Sequence, residues 1–399
     1  MARSAITRRD FLIGTTATIG TLALGCSLGE IASPTPTITA GPTNPPASPT
    51  PAPTPAPTPA PTPTLLPLRR RAAMMLVAGF PGHELADDDP IVRAIRDDGL
   101  GGVILFARNI ESPAQLAELT AALRAAAVGR TLLIAVDQEG GAVARLALED
   151  GFPQTPSAAQ VGRQGDREHA LEVGRSIART LADAGINLNL APVVDLNVNP
   201  HNPSIGALGR SYSADPDVVV EMAGAFIAGH REGGVLTTLK HFPGLGSATG
   251  DTDREFVDIS ATWTDSELEP FRRLIDGGQA DLVMVGNALN SQLDRRNPAS
   301  LSAPTLSLLR DDLGWDGVVV TDDLGAGALR DSYAADEILR LAISAGTDLL
   351  LLANTGSSPK DVVQPALDDI VRLVDEGRLD EVLIDRAVSR IDALLARRG

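Results

Sequence analysis

Val235-Leu236-Thr237-Thr238-Leu239 leads without a break into Lys240-His241-Phe242-Pro243-Gly244-Leu245-Gly246-Ser247-Ala248-Thr249-Gly250-Asp251-Thr252-Asp253. The first five residues are apolar and β-branched, which predicts a buried strand. A cation and an imidazole stand where that strand ends, and a glycine-punctuated loop then delivers two acids one residue apart. Folding alone requires no charge there, so the stretch predicts a functional site. A polar strand end with a solvated turn is the plain alternative. Recurrence along the chain decides between them.

Seven other apolar runs share this form. They are Leu76-Val77-Ala78-Gly79-Phe80, Gly102-Val103-Ile104-Leu105-Phe106, Leu132-Leu133-Ile134-Ala135-Val136, Leu188-Asn189-Leu190-Ala191-Pro192-Val193, Leu282-Val283-Met284-Val285, Val318-Val319-Val320-Thr321 and Asp348-Leu349-Leu350-Leu351-Leu352. Between them lie Ala/Leu/Arg segments with apolar residues three to four apart, such as Pro113 to Ala127 and Arg167 to Ala184. Strands alternating with helices predict parallel pairing through crossovers. Eight such strands close a TIM (β/α)8 barrel at this length. A doubly wound open sheet competes, but no glycine-rich dinucleotide fingerprint follows the first strand.

In a barrel, the residues just after the strands gather on one face. Here they are Asn109, then Asp137-Gln138-Glu139-Gly140-Gly141, Asp195, Lys240-His241, Asn287, Asp322-Asp323 and Asn354. Together they predict one polar basin. Its acids need counter-charges, for which Lys240, Arg145 and Arg210 are the candidates. Carboxylates held at strand ends suit glycoside hydrolysis, where an oxocarbenium-like transition state needs a carboxylate on one face of the sugar and a proton donor at the leaving oxygen. Asp322, aimed by a β-branched strand, suits the nucleophile, with the neighbouring lysine holding it ionised. Aldolase-like and metal-dependent barrel chemistries are the alternatives. A Schiff base at Lys240 is opposed by acids that keep it protonated.

The remainder of the chain bounds the setting. Its 399 residues carry a net charge of −17, which argues against nucleic acid or an anionic membrane surface as partner. Aromatic residues make up 3%, so sugar recognition is expected to rest on charged and amide groups. Residues 1–26 read as an export leader: Thr7-Arg8-Arg9-Asp10-Phe11-Leu12 is a twin-arginine pattern, followed by an apolar run too short to span a membrane. The leader ends in Leu22-Ala23-Leu24-Gly25-Cys26, which resembles a lipoprotein processing site with lipidation at Cys26, the only cysteine. Ordinary cleavage to a soluble secreted protein is the alternative. Residues 27–67 form a Pro/Thr/Ala-rich tether, disordered in the sense of having no core, semi-rigid and able to reach roughly 100 Å. The catalytic domain is expected over residues 68–399.

The ordered motifs Asp137-Gln138-Glu139-Gly140-Gly141 with Arg145, Asn189 with Ala191-Pro192-Val193-Val194-Asp195-Leu196-Asn197, Gly209-Arg210-Ser211-Tyr212, Lys240-His241-Phe242-Pro243-Gly244 and Thr321-Asp322-Asp323-Leu324 resemble glycoside hydrolase family 3. The similarity is to its β-N-acetylglucosaminidase branch, which trims bacterial cell-wall fragments, and it runs from about Leu68 to the C-terminus with no sizeable second domain. It implies a single TIM barrel, a retaining mechanism with Asp322 as nucleophile, no cofactor and a monomer. It also implies that Asp137, Arg145, Arg210, Lys240 and His241 bind N-acetylglucosamine. The substrate is then a glycan or muropeptide containing that sugar, with the membrane touched only through the lipid anchor.

Departures from the branch are equally specific. Its loop Asp-x-His reads Asp251-Thr252-Asp253 here, its Pro-Gly-His-Gly reads Pro243-Gly244-Leu245-Gly246, Asn287 stands where a histidine is common, and Ala142 replaces an arginine. The remaining histidines offer no substitute, since His169 and His230 fall in helical segments and His83 and His201 in loops. Asp253, or Asp251, is therefore expected as the proton donor, its pKa raised by the adjacent acid. A slow enzyme for activated leaving groups, a family 3 glycosidase of other sugar specificity and a non-catalytic sugar-binding lipoprotein are the alternatives.

Overall fold

The structure, a computed structural model, describes residues 66–355 and 361–397, with Gly41 alone upstream. The leader and Cys26 lie outside the described residues, as does the tether apart from Gly41, Leu66 and Pro67.

Eight parallel strands form the sheet: β1 Leu76–Gly79, β2 Gly102–Leu105, β3 Leu133–Val136, β4 Leu188–Asn189, β5 Leu236–Phe242, β6 Leu282–Val285, β7 Val318–Thr321 and β8 Leu350–Leu352. They neighbour one another in chain order, with β8 beside β1. The ring closes through a parallel bridge between Val320 and Leu349 and the Thr321 amide donating to the Leu349 carbonyl at 2.9 Å. This is the expected TIM-like barrel. Its strands are continuous apolar runs because the barrel interior covers one face and helices cover the other.

The helices follow from caps and stripes. Pro113–Ala126 starts with Pro113 at its first position and the Ser112 hydroxyl accepting from the Gln115 amide at 3.2 Å. Arg167–Asp183 is capped by Asp166, and Pro216–Glu232 by Asp215. Arg167–Asp183 buries Ala170, Val173, Gly174, Ile177, Ala178 and Leu181, one face at helical spacing, and packs extensively against Pro216–Glu232.

Two strands depart from the sequence reading. β4 pairs regularly only over Leu188–Asn189; beyond it the Ala191 carbonyl still accepts from the Thr238 amide at 2.9 Å, and Pro192 has no amide to donate. Val193 in turn bridges Lys240. β5 is longer than its apolar run, continuing through Lys240 and His241 to Phe242 with every residue buried. Its register against β6 slips between Leu239 and Phe242. A regular strand sends successive side chains to opposite faces, and the slip lets Lys240 and His241 both reach the barrel mouth. The Lys240–His241 peptide is cis.

Candidate active site

The C-terminal ends of the strands surround a cavity of about 440 Å³. Asp137, Arg145, Arg210, Lys240, His241, Asp251, Asp253 and Asp322 all line it, so the structure brings together every predicted site residue that it describes. Two groups of charge divide the cavity between them.

The first group sits after β3 and β5. Lys240 is 2% exposed, and its Nζ lies 2.8 Å from Asp137 Oδ1 and 2.7 Å from Glu139 Oε1. Arg210 grips Glu139 with both prongs, Nε to Oε2 and Nη2 to Oε1, each at 2.8 Å. Its Nη1 donates to the Ser204 carbonyl at 2.8 Å. Arg145 Nη2 stands 3.5 Å from Asp137 Oδ2. Burial alone would raise both carboxyl pKa values. The Arg210 and Lys240 charges hold Glu139 well below the usual range instead, and Lys240 and Arg145 hold Asp137 below it. Burial likewise works against the Lys240 ammonium, and the two carboxylates override it and raise its pKa.

Buried amides build this group. Gln138 Oε1 accepts from the Arg145 and Leu146 amides at 2.9 and 3.0 Å, folding the short hairpin of Gln138–Gly140 and Val143–Ala144 so that Arg145 returns over Asp137. Asn189 Oδ1 accepts from the Gln138 amide, and its Nδ2 donates to the Gln138 carbonyl, both at 3.0 Å. Behind it, burial pushes the His230 pKa down to about 4, and the neutral ring meets Asn189 at 3.0 Å and the Phe226 carbonyl at 3.0 Å.

The second group gathers about β7. Asp322 follows the strand directly. Burial pushes its carboxyl up to about 6; His241 opposes the rise and Asp253 adds to it. Asp253 is raised as well, by burial first and then by Asp251. The adjacent acid is thus a secondary cause, after the loss of water. Asp323 Oδ1 accepts from the Ala353 and Gly325 amides at 2.9 and 3.0 Å, which fixes the backbone beyond Asp322.

His241 joins the groups. Its Nδ1 lies 2.7 Å from Asp195 Oδ2, while Asp195 Oδ1 accepts from the His241 and Leu245 amides at 3.1 and 2.8 Å. Asp195 is wholly buried and serves to orient the imidazole, leaving Nε2 as the ring nitrogen available to a ligand.

The geometry corrects three expectations. Lys240 pairs with Asp137 and Glu139 and is not the partner that governs Asp322; His241 and Asp253 are. The strand-end amides do not furnish the basin: Asn109 bonds the Phe80 and Gly82 carbonyls, Asn287 the Asp323 carbonyl, and Asn354 the Gly79 carbonyl. Glu139, expected in the basin but with no role assigned to it, receives two cations, Arg210 and Lys240. Its place two residues after Asp137, past the end of β3, is the signal for that role.

Comparison with known proteins agrees with this architecture. The sequence matches the glycosyl hydrolase family 3 N-terminal domain over residues 69–394. A β-hexosaminidase of Nitrosomonas eutropha is 37% identical over 293 residues, which is 71% of this chain and 82% of that protein. A family 3 β-N-acetylglucosaminidase from Paenibacillus superposes with a TM-score of 0.77 at 37% identity, covering 84% of this chain and 63% of the other. A β-N-acetylhexosaminidase from Beutenbergia cavernae gives 0.74 at 34% identity, with 83% and 99% covered. Barrel, ordered motifs and relatives agree: the chain belongs to glycoside hydrolase family 3.

Proposed function

We propose that this glycosidase removes terminal β-linked N-acetylhexosamine, N-acetylglucosamine foremost, by a retaining mechanism with Asp322 as nucleophile and Asp253 as proton donor. The observation that carries the proposal is that these two carboxyls line one cavity in which both hold a proton more tightly than usual, Asp322 through burial and the nearby Asp253, Asp253 through burial and Asp251. One ionised and one protonated member is the division of labour that retention requires. The Asp322 carboxylate attacks the anomeric carbon as the glycosidic C–O bond breaks, and the Asp253 proton goes to the leaving oxygen. Water then attacks the glycosyl ester, Asp253 takes a proton from it, and Asp322 is released.

Asp251 suits the donor role less well. Its Oδ1 already accepts from Ser204 Oγ and the Asp253 amide, both at 3.1 Å, and its Oδ2 lies 3.3 Å from Arg254 Nε. It shapes the turn that presents Asp253. Asp137, Arg145, Arg210, Lys240 and His241 grip the sugar, with Glu139 holding two of the cations in place.

The leader, Cys26 and the tether support an exported lipoprotein that works as a monomer on cell-wall-type glycans at a distance from its membrane. Incorporation of labelled palmitate that disappears in Cys26→Ala is the expected result for the anchor.

Turnover of 4-nitrophenyl N-acetyl-β-glucosaminide and of a chitobioside, whose leaving group is poor, tests the chemistry. Asp322→Ala should abolish both. Asp253→Ala should lose on the order of 10²–10⁴ on the chitobioside and less on the activated substrate, with azide restoring turnover. Sugar binding without release by the wild-type protein would overturn the assignment.

A further inference from the structure

We infer that Gly327 is the positioning residue for Asp253: its amide, and the room left by its missing side chain, dock the donor's loop on the segment that follows the nucleophile. The inference rests on the assignment of Asp253 and Asp322 above.

The Gly327 amide donates to the Asp253 carbonyl at 2.9 Å, and the Ala328 amide to the Thr252 carbonyl at 3.2 Å. These are the first two N–H groups of the one-turn helix Gly327–Arg330, which have no acceptor inside the helix and must find one outside it. Residues of the donor's own turn supply it.

Contact this close excludes a side chain. A Cβ on Gly327 would lie 2.3 Å from the Arg254 carbonyl oxygen and 2.5 Å from its carbon. Both are backbone atoms, so relief requires the Asp251–Arg254 turn to move bodily. Gly327 has no positive φ. An alanine would suit its backbone conformation, and only the neighbouring turn forbids one.

The docking surface is itself fixed. Gly327 is five residues beyond Asp322, and the intervening segment is tied down by Asp322 N donating to the Val285 carbonyl and Leu324 N to the Leu351 carbonyl, each at 2.9 Å. From the opposite side, Ser204 Oγ holds Asp251 at 3.1 Å and Asn199 Nδ2 holds the Ala248 carbonyl at 2.8 Å. Donor and nucleophile are therefore spaced by one short rigid segment. The proton donor thus stands on a turn seated against that segment.

The test compares kcat/KM for a chitobioside and for 2,4-dinitrophenyl N-acetyl-β-glucosaminide, whose departure needs no proton. Gly327→Ala should lower the first about 10–100-fold, as a misplacement of about 1 Å does, and leave the second within about threefold. In an Asp253→Ala background, Gly327→Ala should cost no more than about threefold further on either substrate, because the group it misplaces is gone. Ser204→Ala, which loosens the turn from its other side, should show the same leaving-group dependence to a smaller extent and serves if Gly327→Ala fails to fold. Equal losses on both substrates, or losses that multiply with those of Asp253→Ala, overturn the inference. An Asp253→Ala protein with wild-type preference between the two leaving groups would instead overturn the donor assignment, and the inference with it.

Discussion

Replacing Glu267 by glutamine should make the protein more stable, and increasingly so as the pH rises. Glu267 is wholly buried in the 3-10 turn Asp265–Leu268, directly behind the Gly244–Ser247 loop. A Cβ on Gly244, whose φ is +118°, would lie 2.5 Å from the Glu267 Cβ. One carboxyl oxygen accepts from the Ser247 amide at 3.3 Å, and the other has no hydrogen-bond partner. Ser247 Oγ is near enough to favour the charged form but is not in hydrogen-bonding geometry. Burial and the Asp195 charge outweigh the Ser247 and Gly246 amides, and the pKa rises from 4.5 to about 7. The folded protein thus binds this proton more tightly than the unfolded chain does. The resulting stabilisation is complete below pH 4.5, is lost as the pH climbs to about 7, and stays lost above it. The gap is worth at most about 3 kcal/mol. Glutamine keeps the acceptor and has no charge to acquire. The variant and the wild type should be nearly equal at pH 4, whereas at pH 8 the variant should lead by up to about 3 kcal/mol, about 4–5 °C in Tm for a domain of this size. Urea denaturation of both proteins across this range measures the difference, from which other titrating groups cancel. A constant difference from pH 4 to pH 8, or a less stable variant at pH 8, would refute the reasoning.

Two further outcomes follow from the charges in the cavity. With Asp322 pushed up to about 6, kcat/KM should fall as the pH drops below 6, because the nucleophile takes up a proton; a pH–rate profile that stays flat down to about pH 5 contradicts this. Lys240→Met leaves Asp137 and Glu139 buried without their shared cation and should cost about 3–5 kcal/mol in chemical denaturation, a loss under about 1 kcal/mol being the contrary result.

The barrel was legible because its strands are apolar on both faces and stand out from the amphipathic segments between them. β6 and β7 begin and end where their valine-rich runs do. β5 did not, because the charges of Lys240 and His241 mask backbone that continues to pair. For the site, position after a strand located the acids and cations, since the fold brings those places together whatever occupies them. Which acid meets which cation depends on side-chain reach across the mouth, and no spacing in the chain encodes that. Lys240 therefore turned out to serve Asp137 and Glu139, and Asn109, Asn287 and Asn354 to tie loop backbone. Glu267 and Gly327 carry no motif at all. Their importance comes from a neighbouring loop pressed against them, which only the folded chain displays.

The order of the strands sets a polarity across the cavity. β3 and β7 lie four places apart in a ring of eight, on opposite walls. Around Asp137 and Glu139, which follow β3, the cations Lys240, Arg145 and Arg210 exceed the two carboxylates by one positive charge, while Asp322 and Asp323 follow β7. A sugar ring held as proposed above, its anomeric carbon toward Asp322, would sit in an electric field directed from its hydroxyl-bearing edge toward that carbon. Positive charge arising at that carbon develops at the end of the field where it is most welcome, so part of the acceleration is stored in the ground-state layout of the walls before any bond begins to stretch.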